Sequence, residues 1–339
     1  MEKDLRILKS KTLADGYKYF SMFEKHIPEL AAGSTVYLYA LGNLHCICEI
    51  IKKNLTSKYF ICDADEVINA VQIVLDGYDI SKAVDLYDID MKFDCIIMNP
   101  PYQRNLHLKI LTEAINHLKD DDSMCVNLSP SNWLGKHSYF NSNFLDFRKK
   151  LNTKIDSIEI IDHRTSNDLF NLGNQIEELG IIECKNNSSL DLIKYGFKNE
   201  FEFNLYMKIL SPREHKLVWR NGIIAKFNTD KSEFDVCLNQ WSGGKTFFEA
   251  AIQKKQKRIL VAQFSTSTEK CNFINSLKTR FMEWYFQTII KAGDYKIHIY
   301  GFMMDDYSQP WTDERFKEFF GITGEEWKYI EDMMAKYVK

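Results

Sequence analysis

The stretch DCIIMNPPYQR, residues 94–104, decides the expected fold of the first half of this chain. Its apolar run CIIM is typical of a short buried strand. Proline cannot continue the hydrogen-bond ladder of a sheet, so the strand must end at Asn99, where Pro100 and Pro101 follow. The stretch therefore predicts a strand that stops abruptly and a stiff polar loop directly after it.

Apolar runs alternate with amphipathic stretches on both sides of this strand. Strands are predicted at STVYLYAL (34–41), KYFICDA (58–64), KAVDLYD (82–88), SMCVNLSP (123–130), IDSIEIID (155–162) and ELGIIEC (178–184), and helices between them. This alternation indicates an α/β fold in which helices cover both faces of a largely parallel sheet. Ligands of such sheets bind at the carboxyl ends of the strands, where Asn99 is placed.

The pattern changes after about residue 190. LVWRNGIIAKF (217–227) contains Asn-Gly between two apolar runs, which predicts a hairpin. FINSLKTRFMEWYFQTIIK (273–291) predicts one helix with an apolar face, and Thr312 and Thr323 have the sequence context of helix caps. We therefore expect two domains, a larger one at 1–190 and a smaller one at 191–339.

Composition indicates a folded protein without a membrane partner. The chain has 339 residues, of which 45% are hydrophobic and 27% charged, and no apolar run is long enough to cross a bilayer. The first residues lack the apolar core of a signal peptide. The eight cysteines are scattered without a CxxC pair, so we expect reduced thiols, a cytoplasmic location and no metal site.

Charge is distributed unevenly along the chain. The net charge is −3, yet residues 191–300 hold 18 Lys and Arg against 11 Asp and Glu. Residues 1–190 are acidic, with 21 basic and 27 acidic side chains. A basic middle segment is expected to attract a polyanion, although an unevenly charged solvated surface explains the counts equally well.

The loop after the strand suits chemistry on an aromatic amine. The lone pair of such an amine is delocalised into its ring, which makes the nitrogen a poor nucleophile. Two acceptors, the Asn99 side-chain oxygen and the Pro100 carbonyl, would bind both N–H groups and free the lone pair. Pro101 stiffens the loop, and Tyr102 offers a flat face for an extruded base. The structural alternative is simply a strand ended by a proline turn.

Residues 30–185 resemble the amino-methyltransferases that use S-adenosylmethionine, in particular N6-adenine DNA methyltransferases with an (Asp/Asn/Ser)-Pro-Pro-(Tyr/Phe) motif. The resemblance implies a Rossmann-like methyltransferase sheet followed by a DNA-recognition domain, the gamma motif order and flipping of the target base. It makes Asn99, Pro100, Pro101 and Tyr102 the catalytic motif. It also matches Phe170 to the aromatic on the other side of the flipped adenine, with a core residue as the alternative.

The resemblance implies a cofactor site at the first three strands, although its glycine loop is incomplete. LYALGNLHC keeps Gly42, whereas Tyr39 stands at the usual acidic position and Leu44 at the second glycine. We expect Leu44 to narrow the pocket for the methionine end. Asp63 is expected to accept hydrogen bonds from the ribose hydroxyls of the cofactor. Asp85, rather than Asp88, is expected to accept a hydrogen bond from the amine of the cofactor's adenine.

The expected target is double-stranded DNA, and a cognate restriction endonuclease is a possible partner for a chain of the restriction-modification type. The DNA-contacting side chains are expected in the basic segment, at Arg220, Lys254, Lys255, Lys257 and Arg258. Two alternatives stay open. One is a methyltransferase-like DNA-binding subunit that has lost its cofactor, and the other is an RNA or protein amino-methyltransferase.

Overall fold

The computed structural model describes residues 13–135, 142–162, 164–166, 178–210, 236–239, 259–262, 264–289, 304 and 306–336. These residues form two compact units. The first contains the described residues up to 135 together with those in 143–195, and the second contains Ser142 and those from 196 onward. The division lies five residues after the expected boundary at 190, and the roles assigned to the two parts stay a prediction.

A seven-stranded sheet forms the centre of the first unit. The strands are β1 Thr35–Tyr39, β2 Lys58–Cys62, β3 Ile80–Lys82, β4 Cys95–Met98, β5 Met124–Pro130, β6 Ile155–Ile161 and β7 Leu179–Cys184. Their order across the sheet is β3-β2-β1-β4-β5-β7-β6. The first five strands pair in parallel, and β7 pairs antiparallel with both β5 and β6. The expected α/β Rossmann-like fold is confirmed.

Helices cover both faces of this sheet. They are α1 Leu13–Phe23, α2 Leu44–Lys53, α3 Asp65–Val74, α4 Leu106–Asn116 and α5 Ser142–Leu151. Alternate residues of β1 show how the faces divide, because Val36 and Leu38 join one core with residues of α1, α2 and α3. Tyr37 and Tyr39 join the opposite core, which includes residues of α4 and α5. Side chains of a strand alternate between faces, so both faces of β1 are buried.

Asp94 ties the beginnings of the two central strands together. Its carboxylate accepts hydrogen bonds from the Thr35 backbone N–H at 2.7 Å and the Thr35 hydroxyl at 2.9 Å. The Lys119 ammonium donates to the other oxygen at 3.0 Å. Asp94 therefore fixes β4 beside β1 and helps to set the level at which their carboxyl ends meet.

A buried arginine holds the two stretches at which the chain leaves the first unit. Arg148 on α5 is fully buried, and its guanidinium donates to the carbonyls of Leu134 at 3.0 Å and Gly135 at 3.3 Å. It also donates to the carbonyls of Leu192 and Tyr195. One side chain thus anchors residues just before 136 and just before 196.

The second unit has a core of its own, rich in aromatic side chains. Its helices are α6 Glu200–Leu210, α7 Ser267–Ser276, α8 Arg280–Ile289, α9 Asp313–Phe320 and α10 Gly324–Ala335, and β8 Val236–Asn239 pairs antiparallel with β9 Ile259–Ala262. Phe281 stacks on Phe316 with ring centroids 4.7 Å apart and on Phe320 at 5.4 Å. The predicted caps are confirmed, because Thr312 caps α9 and Thr323 forms a capping box at the start of α10.

Three sequence expectations differ from the structure or lie outside it. The third strand is Ile80–Lys82, earlier and shorter than the predicted 82–88. The single helix predicted across 273–291 is two helices, which end and begin around Leu277–Thr279. The Asn221-Gly222 hairpin lies outside the described residues. Within the described part of the chain, no helix is long and apolar enough to span a membrane.

Candidate active site

Asn99 lies directly after β4, at the carboxyl end of the sheet. Its backbone N–H donates to the Tyr39 carbonyl at 3.1 Å, which extends the pairing with β1 by one bond. Its side chain is 4% exposed. The side-chain nitrogen donates to the Tyr19 hydroxyl at 2.7 Å, and the side-chain oxygen accepts from the Tyr102 hydroxyl at 2.6 Å. Two tyrosines therefore hold the two ends of this amide.

The loop after Asn99 turns sharply into α4. Pro100 is buried and Pro101 partly buried, and neither can take part in a further ladder bond. Arg104 and Asn105 then adopt left-handed backbone angles, with φ of 51° and 61°. Few non-glycine residues adopt this region. The tight turn places Tyr102, which is half-buried, above the start of α4.

His107 lies in the first turn of α4 beside the motif. Its ring meets the Tyr102 ring edge-on, with centroids 5.9 Å apart. Burial lowers the pKa of His107 to about 4, against a smaller opposing effect of the Tyr102 backbone. Burial also raises the pKa of Tyr102. Both side chains are therefore neutral near pH 7.

The loop between β1 and α2 is closed by Asp63, which follows β2. One carboxylate oxygen of Asp63 accepts from the Gly42 N–H at 2.7 Å, and the other accepts from the Ala64 N–H at 2.8 Å. Ala40 and Gly42 adopt positive φ angles of 51° and 66°, so the chain turns tightly here. Asn43 then begins α2 by accepting a hydrogen bond from the Cys46 N–H.

The electrostatics of Asp63 are set by two opposing effects. Burial raises the pKa of its carboxyl, and the N–H groups of Gly42 and Ala64 oppose that rise. The side chain is half-buried rather than closed off. A carboxylate has about four acceptor positions, and the N–H groups of Leu41, Gly42 and Ala64 all bond to this one, so about one position is left for a hydroxyl group. The arrangement fits the expected ribose contact and adds a structural task to the same residue.

Asp85 lies in the loop after β3 and is linked to β1. One of its oxygens accepts from the Tyr39 hydroxyl at 3.0 Å, and the other from the Tyr87 N–H at 3.2 Å. Burial, followed by the Asp85 charge, raises the pKa of Tyr39, which stays a neutral donor. Tyr39 therefore reaches across β2 to a carboxylate on the loop after β3.

Leu44 begins α2, and its side chain is partly buried against the core that contains Ile47 and Ile51. The sequence suggested a side chain that only narrows a pocket. The structure shows that Leu44 contributes to core packing, so its removal would also cost stability.

The remaining predicted site residues lie outside the described part of the chain. They are Phe170, Arg220, Lys254, Lys255, Lys257 and Arg258. Among the described residues, the structure brings Asn99, Tyr102, Gly42, Asp63 and Asp85 to the carboxyl ends of β1 to β4. No group of three or more His, Cys, Asp or Glu side chains in the described ranges is arranged to hold a metal ion.

Sequence reasoning missed Tyr19. It is buried in α1, some 80 residues before its partner Asn99. In the sequence, YKYFSMF carries only the signal of an apolar helix face, which Phe20 and Phe23 share. A pattern of this kind predicts burial and says nothing about which hydroxyl meets a distant amide.

No model of a known protein family matches this chain. No curated protein matches it either. Among solved structures, it is similar to the type I restriction-modification system methyltransferase subunit from Streptococcus thermophilus, with 16% identity and a TM-score of 0.38. That match covers 62% of this chain and 55% of the other, so the chain spans about half the length of this relative.

Two further solved structures have other substrates in their names. The geranyl diphosphate C-methyltransferase from Streptomyces coelicolor A3(2) has 12% identity and a TM-score of 0.36, over 49% of this chain and 77% of that one. The precorrin-6y C5,15-methyltransferase from Geobacter metallireducens GS-15 has 10% identity and a TM-score of 0.33, over 54% and 92%. At such low values, none of these matches assigns a reaction or a substrate to this chain.

Proposed function

We propose that this chain transfers a methyl group from S-adenosylmethionine to the N6 amine of an adenine flipped out of double-stranded DNA, so that the sulfonium leaves as the thioether S-adenosylhomocysteine and one amine proton passes to solvent. The observation that carries the proposal is the position of the Asn99 side chain and its two hydrogen bonds. Its amide is buried at the carboxyl end of β4, where ligands of α/β sheets bind, and is held at both ends by tyrosine hydroxyls. Such a fixed polar group is what preorganised stabilisation of a reacting amine requires.

Asn99 supplies the acceptor that makes the amine nucleophilic. Its side-chain oxygen has two lone pairs, and the Tyr102 hydroxyl uses one of them. The second is available for an N–H of the target amine, and the Pro100 carbonyl is the proposed acceptor for the other N–H. The Tyr102 ring provides the stacking face, with Phe170 proposed for the opposite face.

The proposed methyl donor fits the residues after the first three strands. Asp63 would hold the ribose hydroxyls of the cofactor. The backbone of Gly42 would lie against the cofactor. Asp85 would accept a hydrogen bond from the amine of the cofactor's adenine. When bound, S-adenosylmethionine supplies an electrophilic methyl group on a sulfonium. Because His107 and Tyr102 are neutral, neither side chain repels the positive charge of the sulfonium.

The DNA target rests on the resemblance and on the charge of the chain. Residues 191–300 hold 18 basic and 11 acidic side chains, which favours contact with phosphates. We assign this role to Arg220, Lys254, Lys255, Lys257 and Arg258. A restriction endonuclease that cuts the unmethylated site is the proposed partner.

A second candidate is a catalytically inactive subunit that binds DNA without methylating it. The observation in its favour is Asp63, because the carboxylate expected to bind ribose already accepts hydrogen bonds from three backbone N–H groups. In that case Asp63 would serve only to close the loop between β1 and α2. An RNA or protein amine is the corresponding alternative for the substrate.

The test is the base composition of DNA from cells that express the chain. The wild type is expected to produce N6-methyladenine at defined sites, detected by mass spectrometry and modified-base sequencing. Asn99→Ala removes one preorganised acceptor and should slow transfer about a hundredfold or more, which corresponds to about 3 kcal/mol. DNA binding should stay nearly unchanged.

Asn69→Ala is the matched control, because Asn69 is an exposed asparagine on α3. It should methylate at the wild-type rate. Methylated adenine in the Asn99→Ala sample at the wild-type level would rule out the mechanism. DNA binding without any methylation by the wild type would favour the catalytically inactive subunit.

A further inference from the structure

Helix α1 delivers one hydroxyl group to the catalytic motif. Tyr19 is 4% exposed and accepts a hydrogen bond from the Asn99 side-chain nitrogen at 2.7 Å. Its ring meets Phe23 edge-on at 5.5 Å, and both rings belong to the core that α1 shares with α2. This packing leaves the Tyr19 ring little freedom, so the position of its hydroxyl is fixed by the fold.

An asparagine at a reacting amine has to present the correct end of its amide. The oxygen accepts an N–H of the target, whereas the NH2 group would place donor against donor. The two ends are nearly the same size, so the shape of the pocket alone does not select between them. The selection has to come from hydrogen-bond partners.

We propose that Tyr19 is a positioning residue that holds the Asn99 amide with its oxygen toward the target amine. The inference rests on the proposed amine methyl transfer and deepens it. Because a tyrosine hydroxyl can donate as well as accept, the orientation is set by the pair of bonds, in which Tyr19 accepts from the nitrogen while Tyr102 donates to the oxygen. The oxygen then faces Tyr102, the residue that offers the stacking face for the base.

Tyr102 alone is a weaker determinant of this orientation. It is half-buried at the entrance to α4, and its ring has to accommodate an arriving base. Tyr19 is a buried member of the core, whereas Tyr102 packs against the same core and is only partly buried. Burial raises the pKa of Tyr19 well above its usual range, so its hydroxyl stays neutral and serves in hydrogen bonding rather than as a base.

The test compares Tyr19→Phe with Tyr17→Phe, a tyrosine on the same helix that is 49% exposed. Tyr19→Phe keeps the packed ring and removes the hydroxyl. We expect kcat to fall about tenfold, with the KM for DNA and the dissociation constant for S-adenosylmethionine within about twofold of wild type. Tyr17→Phe should match the wild type in all three.

A double-mutant cycle with Asn99→Asp separates positioning from mere support of the fold. A carboxylate has two acceptor ends and no wrong one. Adding Tyr19→Phe to Asn99→Asp should therefore cost much less in kcat than adding it to the wild type. An equal loss in both backgrounds, or no loss of kcat in Tyr19→Phe, would overturn the role of Tyr19.

The outcomes distinguish this inference from the proposed function. A wild type that makes no methylated amine refutes both. A wild type that methylates adenine, together with an unchanged Tyr19→Phe, refutes only the positioning role. Should Asn99→Asp be inactive, the comparison of kcat between Tyr19→Phe and Tyr17→Phe decides.

Discussion

At the scale of single residues, Asp63 has two roles, of which the sequence predicts only the contact with ribose. It is the proposed ribose acceptor, and it also closes the β1–α2 loop through the Gly42 N–H. A cofactor bound there would therefore meet a loop whose geometry depends on the same carboxylate. Removing this carboxylate is expected to affect the loop and the ligand together.

Asp63→Ala should weaken S-adenosylmethionine binding by about 1–3 kcal/mol, because it leaves hydroxyl groups and backbone N–H groups without an acceptor. It should also lower the melting temperature of the protein without any ligand, since the Gly42 N–H loses its partner. Titration calorimetry and thermal unfolding measure the two effects separately.

Asp65→Ala is the control, because Asp65 lies two residues later in the first turn of α3 and its side chain is 70% exposed. We expect wild-type affinity from it. Equal cofactor affinity in the wild type and Asp63→Ala would show that Asp63 serves the loop alone.

At the scale of elements, Asp94 makes the alignment of β1 and β4 depend on pH. Partial burial alone would raise the pKa of Asp94, but the Thr35 N–H and the Lys119 ammonium outweigh it and hold the pKa below its ordinary value. A carboxyl with a lowered folded-state pKa stabilises the fold above its unfolded pKa of about 4. That contribution is lost as the pH falls through the lowered value.

Asp94→Asn should therefore destabilise the protein at neutral pH, by about 1–3 kcal/mol. The difference from wild type should begin to narrow as the pH falls below about 4, where the unfolded chain takes up the proton, and should close below the lowered folded-state pKa, where the folded carboxyl is protonated as well. Denaturant unfolding at a series of pH values measures it. Asp122→Asn, an exposed carboxylate before β5, should show no such difference. A constant gap for Asp94→Asn at every pH would contradict the assignment.

Strands and helices of the first unit follow closely from the sequence, because short apolar runs bounded by turn residues leave few alternatives. The break between α7 and α8 does not. Asp313 accepts from the N–H groups of Arg280 and Phe281, and the Thr279 hydroxyl accepts from the Met282 N–H. A cap supplied from a distant part of the chain overrides the helical pattern, and periodicity alone cannot show it.

The site divides in the same way. Asn99 and Asp63 are recognisable because each follows an apolar strand and carries a polar side chain. Tyr19 is not, because its hydroxyl becomes part of the site only through the packing of α1 on α2. The sequence reveals a site residue whose role follows from its neighbours along the chain. It does not reveal one whose role depends on a contact with a distant part of the chain.

At the scale of the whole molecule, Arg148 decides where the first unit ends. Its guanidinium binds the carbonyls of Leu192 and Tyr195, which lie beyond the boundary predicted at 190. A change of sequence pattern marked that boundary, and a pattern does not report a buried side chain that reaches forward along the chain.

A chain truncated after residue 195 should therefore be more stable than one truncated after residue 190. The shorter form lacks the carbonyls of Leu192 and Tyr195, so the buried Arg148 guanidinium loses two hydrogen-bond acceptors. Such a loss typically costs several kcal/mol. Thermal unfolding and soluble yield of the two fragments compare them. Adding Arg148→Met to each fragment should reduce the difference between them, and equal melting temperatures of the unsubstituted fragments would show that Leu192 and Tyr195 are dispensable.

The position of β7 between β5 and β6 has a consequence for synthesis on the ribosome. Strand β6 leaves the ribosome before β7, yet β7 is the strand with which it pairs. At about 5–20 residues per second, β6 waits roughly one to five seconds for residues 179–184, and the open edge of β5 waits roughly three to eleven seconds. During that interval an apolar strand and a sheet edge are both exposed, which invites association between nascent chains. Codon choice between 162 and 184 is thus expected to influence how much protein folds.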